Sequence, residues 1–66
     1  KPEDTFGLLA RLWSAYLGVP VTAVDAALML GLLKVARAKG NPGHEDNFID
    51  LAGYAACGGE LAKGGA

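Results

Sequence analysis

The residues best suited to chemistry lie in the segment 33–54, LKVARAKGNPGHEDNFIDLAGY. Asp46 and Asp50 stand four residues apart, so on a helix both project from one face. Two carboxylates on one face can bind Mg²⁺ when other oxygen atoms complete its octahedral shell. Glu45 is a third candidate ligand, and Asn47 offers an amide oxygen. This spacing predicts a Mg²⁺ site of Asp50, Asp46 and Glu45; the alternative is an acidic first turn that compensates the helix dipole.

Two of the three basic residues that precede these acids in this segment are candidates for phosphate binding. Lys34 lies in an otherwise apolar stretch, and Arg37 follows three residues later on the same side. An ammonium and a forked guanidinium are suited to phosphate oxygens, so Lys34 and Arg37 are predicted to bind substrate. Tyr54 lies one turn beyond Asp50 and can stack on a nucleobase or hydrogen-bond the carboxylate, and the favoured alternative is a packing role with its hydroxyl at the rim. The alternative is a salt-bridged hairpin in which Asp50 pairs with Lys34 or Arg37.

The remaining reactive side chains give no catalytic assignment. His44 is the single histidine and reads as a surface or capping residue, and Cys57 reads as a small apolar residue. No nucleophile–base pair and no glycine-rich phosphate loop is present in the sequence. The catalytic residue, if there is one, therefore stays unknown at this stage.

Three helices are predicted to position these residues. The first runs from about Thr5 to Leu17, with Asp4 as its N-cap and Gly18 as its end. The second begins at Thr22, which forms a capping-box pattern with Asp25, and it is apolar nearly all round up to Lys34. The inward stripe of the first helix is predicted to contain Phe6, Leu9, Trp13, Tyr16 and Leu17, widened by Leu8 and Leu12.

The third helix is predicted from roughly Glu45 to Ala62, followed by a disordered tail at 63–66. Its second half contains Gly53, Gly58 and Gly59, each of which costs up to about 1 kcal/mol relative to alanine in a helix. Close backbone approach by a neighbouring helix is the expected compensation. The fold class is thus all-α, a three-helix chain of one domain, residues 1–66.

Composition indicates that this domain associates with itself. Sixty-six residues bury little surface, yet 52% are hydrophobic and the mean hydropathy is +0.26. We therefore expect a helical bundle formed by a homodimer or higher oligomer. The net charge of −1 argues against a nucleic-acid polymer as partner. No apolar run approaches the ~20 residues of a membrane span, and no signal peptide is visible, so a cytoplasmic location is expected.

Three segments together resemble a known group of proteins: LARLWSAYLG, DAALMLGLLKVAR and NPGHEDNFIDLAGYAA. They resemble small phage and prophage proteins that are similar in turn to the MazG-like all-α nucleotide pyrophosphohydrolases. The resemblance covers nearly the whole chain and is most specific at Lys34–Ala36–Arg37 and in DLAGY, which begins at Asp50. It implies a helical bundle assembled from two or more chains, in the host cytoplasm if the protein is phage-encoded.

The resemblance also implies a chemistry. In those enzymes glutamates of an E-E-x-x-E helix and an E-x-x-D pair hold Mg²⁺, and water attack on a nucleoside triphosphate releases pyrophosphate. Asp50 matches the aspartate of the pair, Asn47 stands where its glutamate would be, and Asp46 is a possible substitute. No E-E-x-x-E occurs in this sequence. Either the missing acids lie on an upstream helix, or catalysis has been lost.

Three functions are therefore predicted as alternatives. The first is Mg²⁺-dependent hydrolysis of nucleoside triphosphates or modified nucleotides to monophosphate and pyrophosphate. The second is non-catalytic binding or sequestering of a nucleotide or nucleotide-derived molecule, for example in phage counter-defence. The third is a structural helical oligomer in which the charges form salt bridges.

Overall fold

The computed structural model describes residues 2–64, with side chains from Asp4 onward. The chain forms three helices: α1 (Pro2–Leu17), α2 (Ala23–Gly40) and α3 (Asp46–Lys63). Residues 2–64 contain no strand, so the predicted all-α class is confirmed. None of the three helices is long and apolar enough to cross a membrane over the residues described.

The ends of α1 and α3 differ from the prediction. Helix α1 begins at Pro2 rather than near Thr5, so Asp4 lies in the first turn and is not the N-cap. Proline suits a first helical position because its φ is fixed near the helical value and its missing N–H would have no intrahelical partner. Helix α3 ends at Lys63, the first residue of the predicted disordered tail, and residues 65–66 of that tail lie outside the described part.

The link between α1 and α2 is held by Ser14. Gly18 adopts a φ of +73°, which favours glycine, and its N–H donates to the Ser14 carbonyl at 2.9 Å. The Ser14 hydroxyl accepts a hydrogen bond from the Val21 N–H at 2.8 Å and donates to the Val21 carbonyl at 3.2 Å. Two bonds to one residue hold the extended connector against the last turns of α1.

The predicted capping box at the start of α2 is present. The Asp25 N–H donates to Thr22 Oγ1 at 3.0 Å, and the Thr22 N–H donates to Asp25 Oδ2 at 2.9 Å. At the other end of α2 the Asn41 N–H donates to the Arg37 carbonyl at 2.9 Å. These contacts set the limits of α2 locally, before any packing is considered.

Helices α2 and α3 form an antiparallel hairpin and make the most extensive contact in the chain. Small residues bring them together: the Ala27 Cβ lies 3.5 Å from where a Cβ on Gly58 would be, and Gly31 faces Leu51. Helix α1 packs on one side of this hairpin, chiefly against α2. The core cluster consists of Phe6, Ala26 and Ala27, surrounded by Leu9, Trp13, Ala23, Leu30, Tyr54, Cys57 and Leu61.

The inward stripe of α1 is narrower than predicted. Phe6 is buried and Leu9 and Trp13 pack on the core, as expected. Tyr16 is 87% exposed, and Leu17, Leu8 and Leu12 are also exposed. The prediction that these four side chains belong to the inward stripe is therefore wrong. Leu8 and Leu12 lie on the side of the helix away from Phe6, while Tyr16 and Leu17 occupy the last turn, beyond the core cluster.

The glycines of α3 are only partly explained by helix packing. A Cβ on Gly58 would meet Ala27 at an ordinary contact distance of 3.5 Å. A Cβ on Gly53 or Gly59 would meet nothing within 4 Å, so the predicted close approach is wrong for these two within the chain. Their cost in helix propensity is therefore uncompensated by contacts inside one protomer.

The two phenylalanines provide a matched test of the core. Phe6 is 4% exposed, whereas Phe48 is 51% exposed. Phe6→Ala is expected to lower the free energy of unfolding by about 3 kcal/mol, because a buried ring is removed and a cavity remains. Phe48→Ala should cost under about 1 kcal/mol. Urea denaturation followed by circular dichroism measures both; equal losses would contradict this core.

Gly53→Ala should stabilise the protein. The site is helical and exposed and has room for a Cβ, so the substitution is expected to raise the free energy of unfolding by about 0.5–1 kcal/mol. The same change at Gly18, where φ is +73°, serves as the control and should destabilise. Urea midpoints compare the two variants, and a loss of stability in Gly53→Ala would argue against this placement of α3.

Candidate functional site

An ion pair joins the two halves of the α2–α3 hairpin. Lys34 Nζ lies 2.9 Å from Asp50 Oδ2. The lysine side chain is 15% exposed and the aspartate side chain 45% exposed. The predicted meeting of a cation from α2 with a carboxylate from α3 is thus present, and it takes the form that the salt-bridge alternative described.

The register of the hairpin explains this pairing. Lys34 stands two turns before the end of α2, and Asp50 lies one turn after the start of α3, so the antiparallel register sets them side by side. The lysine stem is covered by the neighbouring helix while its ammonium reaches the outward-facing carboxylate. The contact uses Oδ2, so Oδ1 has no cation partner among the described side chains.

Arg37 lies one turn beyond Lys34 and is exposed. It makes no ion pair with any side chain that the structure describes. Its guanidinium is free to contact an anion that approaches the end of the hairpin, which is the role predicted for it. The Lys34 ammonium, in contrast, is already paired and would have to share its charge between Asp50 and a phosphate.

The three predicted metal ligands are not gathered in one place. Asp46 is on the Asp50 side of α3, but its carboxylate faces His44, with Oδ2 3.9 Å from Nε2. Glu45 is the residue before α3, it is exposed, and its side chain makes no capping hydrogen bond. Over the described residues no group of three or more His, Cys, Asp or Glu side chains is placed to hold a metal ion.

Asn47 has a buried position that its spacing did not reveal, whereas Tyr54 packs on the core, as the packing alternative predicted. Asn47 is 4% exposed, so its amide faces the interior and not the open side on which Asp50 lies. The Tyr54 ring packs edge-on against Phe6, with centroids 6.2 Å apart and an interplanar angle of 71°. The recurrence of 47, 54, 58 and 61 on α3 is the helical signal that identifies the buried side.

The arrangement can therefore bind an anion more readily than it can bind a metal ion by itself. Lys34 and Arg37 provide positive charge at the end of the hairpin that carries the α2–α3 turn, next to one half-exposed carboxylate. Mg²⁺ requires six oxygen ligands in octahedral geometry, and the described residues offer too few in one place. The residues present do not by themselves fit the magnesium site that the resemblance implies.

Comparison with known proteins places the chain in a family. Residues 1–62 match the family described as "Domain of unknown function (DUF6378)". Two curated relatives are the "Gene 55 protein" of Mycobacterium phage D29, 43% identical over 56 residues or 85% of the chain, and that of Mycobacterium phage L5, 50% identical over 48 residues or 71%. The matched segments span about a third of these relatives, 37% and 31% of their lengths. No solved structure shows significant similarity.

These descriptions name neither a ligand nor a reaction. They confirm the predicted resemblance at the level of a phage protein family, because both relatives are phage proteins. The finer resemblance to nucleotide pyrophosphohydrolases stays a prediction.

The Lys34–Asp50 pair should show measurable coupling. A double-mutant cycle of Lys34→Met and Asp50→Asn is expected to give a coupling energy of about 1 kcal/mol, since one partner is largely buried and the other is half exposed. The exposed His44–Asp46 pair at 3.9 Å is the control and should give under about 0.3 kcal/mol. Urea denaturation at neutral pH measures both cycles; a coupling near zero for the first pair would show that the contact is not maintained in solution.

Proposed function

We propose that this chain, which belongs to the DUF6378 family and has relatives in two mycobacteriophages, supplies the phosphate-binding part of a nucleotide site. The observation that supports the proposal is the Lys34–Asp50 pair, a mostly covered lysine beside a half-exposed carboxylate near the α2–α3 turn. Exposed Arg37 extends the positive charge by one turn. A phosphate group that approaches this site meets two different donors. The Lys34 ammonium is a compact point charge, and the Arg37 guanidinium is a planar fork.

The finer proposal is that the assembled protein hydrolyses a nucleoside triphosphate or a modified nucleotide to monophosphate and pyrophosphate. In this reaction the oxygen of a water molecule bonds to the α-phosphorus, and the bond from that phosphorus to the oxygen bridging to the β-phosphate breaks. In this chain Lys34 and Arg37 would offset charge on the phosphates, and Asp50 would hold Lys34 in place. Acidic groups that complete the site would come from another subunit or from residues beyond these 66.

Part of the fold is consistent with such a completion. The Phe6–Tyr54 contact places the first turns of α1 beside α3, one turn from Asp50. The curated relatives are about three times as long as the matched segment, so they contain residues outside it.

Non-catalytic nucleotide binding is the second candidate, and one observation favours it. The described residues lack a cluster of metal ligands, while binding through Lys34 and Arg37 requires none. A structural salt bridge without a ligand is the outcome if nucleotides do not bind.

Nucleotide titration separates the three functions. The natural protein and residues 1–66 are each titrated with dATP, dCTP, GTP and inorganic pyrophosphate, with and without Mg²⁺, while calorimetry and pyrophosphate release are followed. Lys34→Met is expected to weaken binding by about tenfold or more, because an ion contact to phosphate is lost. Lys63→Met, at the far end of α3, is the control and should bind normally.

Each result of this titration has a definite reading. Pyrophosphate release that requires Mg²⁺ and is lost in Asp50→Asn supports hydrolysis. Binding without turnover that Lys34→Met weakens supports a nucleotide binder. The absence of binding in the natural protein, or binding that Lys34→Met leaves unchanged, would overturn the site.

A further inference from the structure

The face of the hairpin turned away from α1 carries an apolar groove of about 380 Å³. Helix α1 packs on the side of Ala26, Tyr54 and Cys57. The groove lies on the other side and is lined entirely by apolar residues, including Leu28, Gly31, Leu32 and Val35 of α2 with Leu51 and Ala55 of α3. Nothing in the described chain covers it, since Leu32 is 67% exposed and Leu28 is 56% exposed.

This groove has both a floor and a projecting edge. The floor is formed by small residues, Gly31, Ala27 and Ala55. Leu28 and Leu32 project from α2 beside this floor. A helix bearing large apolar side chains at the same spacing would fit it, because its leucines would enter over the small residues. Helix α2 of a second copy is such a helix, so the surface is complementary to itself.

The charges at the ends of this face match that pairing. Asp25, Leu28, Leu32, Val35 and Lys39 follow one another at alternating spacings of three and four residues, which places them along one stripe of α2. The stripe thus has a carboxylate at one end and an ammonium at the other. If two copies of α2 cross antiparallel with Leu32 at the two-fold axis, Asp25 of each copy lies opposite Lys39 of the other.

We propose that this stripe is a homodimer interface, with α2 of each copy seated antiparallel in the α2–α3 groove of the other. In parallel alignment the two Lys39 side chains would meet, and like charges would oppose association. The antiparallel arrangement is also isologous, so it closes at two copies. Lys39 makes no ion pair with the described residues of its own chain and is available for this contact. The inference does not depend on nucleotide binding.

Cysteine cross-linking tests the geometry. In a Cys57→Ala background, Leu32→Cys near the two-fold axis is expected to form an intermolecular disulfide on mild oxidation, since residues at a helix crossing come within disulfide range. The matched control is Leu33→Cys, which is exposed on the same helix but faces another direction, and Leu12→Cys tests the outer face of α1. Dimerisation of the parent chain is measured in parallel by sedimentation equilibrium.

Charge variants test the register. Lys39→Glu is expected to raise the dimer dissociation constant by about fivefold or more, because an attractive pair becomes repulsive on both sides of the axis. Arg11→Glu makes the same change in net charge on α1, outside the stripe, and should have no effect. Asp25 is left unchanged because its side chain belongs to the capping box of α2. Circular dichroism checks that each variant stays helical.

The outcomes are decisive in both directions. A dimer that cross-links through Leu32→Cys and is weakened by Lys39→Glu supports the proposal. A chain that is monomeric at a concentration on the order of 0.1 mM overturns it. A dimer that cross-links through Leu33→Cys or Leu12→Cys instead overturns the assigned face. A dimer whose dissociation constant is unchanged by Lys39→Glu overturns the assigned register. Protection of Leu32→Cys from alkylation in a monomeric natural protein would show that another segment fills the groove and would also overturn it.

Discussion

Close contact between α2 and α3 through small side chains is the constraint on which the rest of the structure depends. A Cβ added at Gly58 would lie 3.5 Å from the Ala27 Cβ, and a Cβ added at Gly31 would lie 3.4 Å from Leu51 Cδ1, so the two helices approach closely at these glycines. Because the residues between these helices are small, the larger side chains of α2 cannot all point inward. The same contact fixes the antiparallel register, and the register brings Lys34 to Asp50.

A consequence of this packing is a core with few large side chains. The buried apolar residues in the described part are Phe6 and four alanines: Ala10, Ala26, Ala27 and Ala38. Burial of alanine contributes less than burial of leucine because the hydrophobic effect scales with the apolar area removed from water. Leucines on both outer surfaces remain in contact with solvent, on α1 as well as on α2. Such a distribution is typical of a subunit whose stability depends in part on what covers it.

The polar contacts at the α1–α2 connection and those at the α2–α3 connection have different roles. At the α1–α2 connection, Ser14 and the Thr22–Asp25 box satisfy backbone groups and define where the helices turn. At the α2–α3 connection, the charged residues are largely exposed, and Lys34 is the one whose stem is covered. A lysine that is mostly covered loses hydration and needs a partner, which Asp50 provides. The end of the hairpin next to the α2–α3 turn is thus the place where an anion would find charge already held in position.

The sequence alone was sufficient for the features that depend on local chemistry. Periodicity and caps identified three helices, the capping box at Thr22 and the end of α1 at Gly18, because these depend on residues within one turn of each other. It also predicted that a cation of α2 meets Asp50, since a short turn forces the hairpin.

Only the tertiary structure decided which cation pairs, which apolar residues are buried and whether the acids cluster. Lys34 takes the pair because the register places it, rather than Arg37, opposite Asp50. Tyr16 and Leu17 are exposed because α1 extends past the core, and the described residues bring no group of three acidic side chains together around Asp50. Each of these depends on the relative placement of whole helices, and residue spacing within one helix does not contain that information.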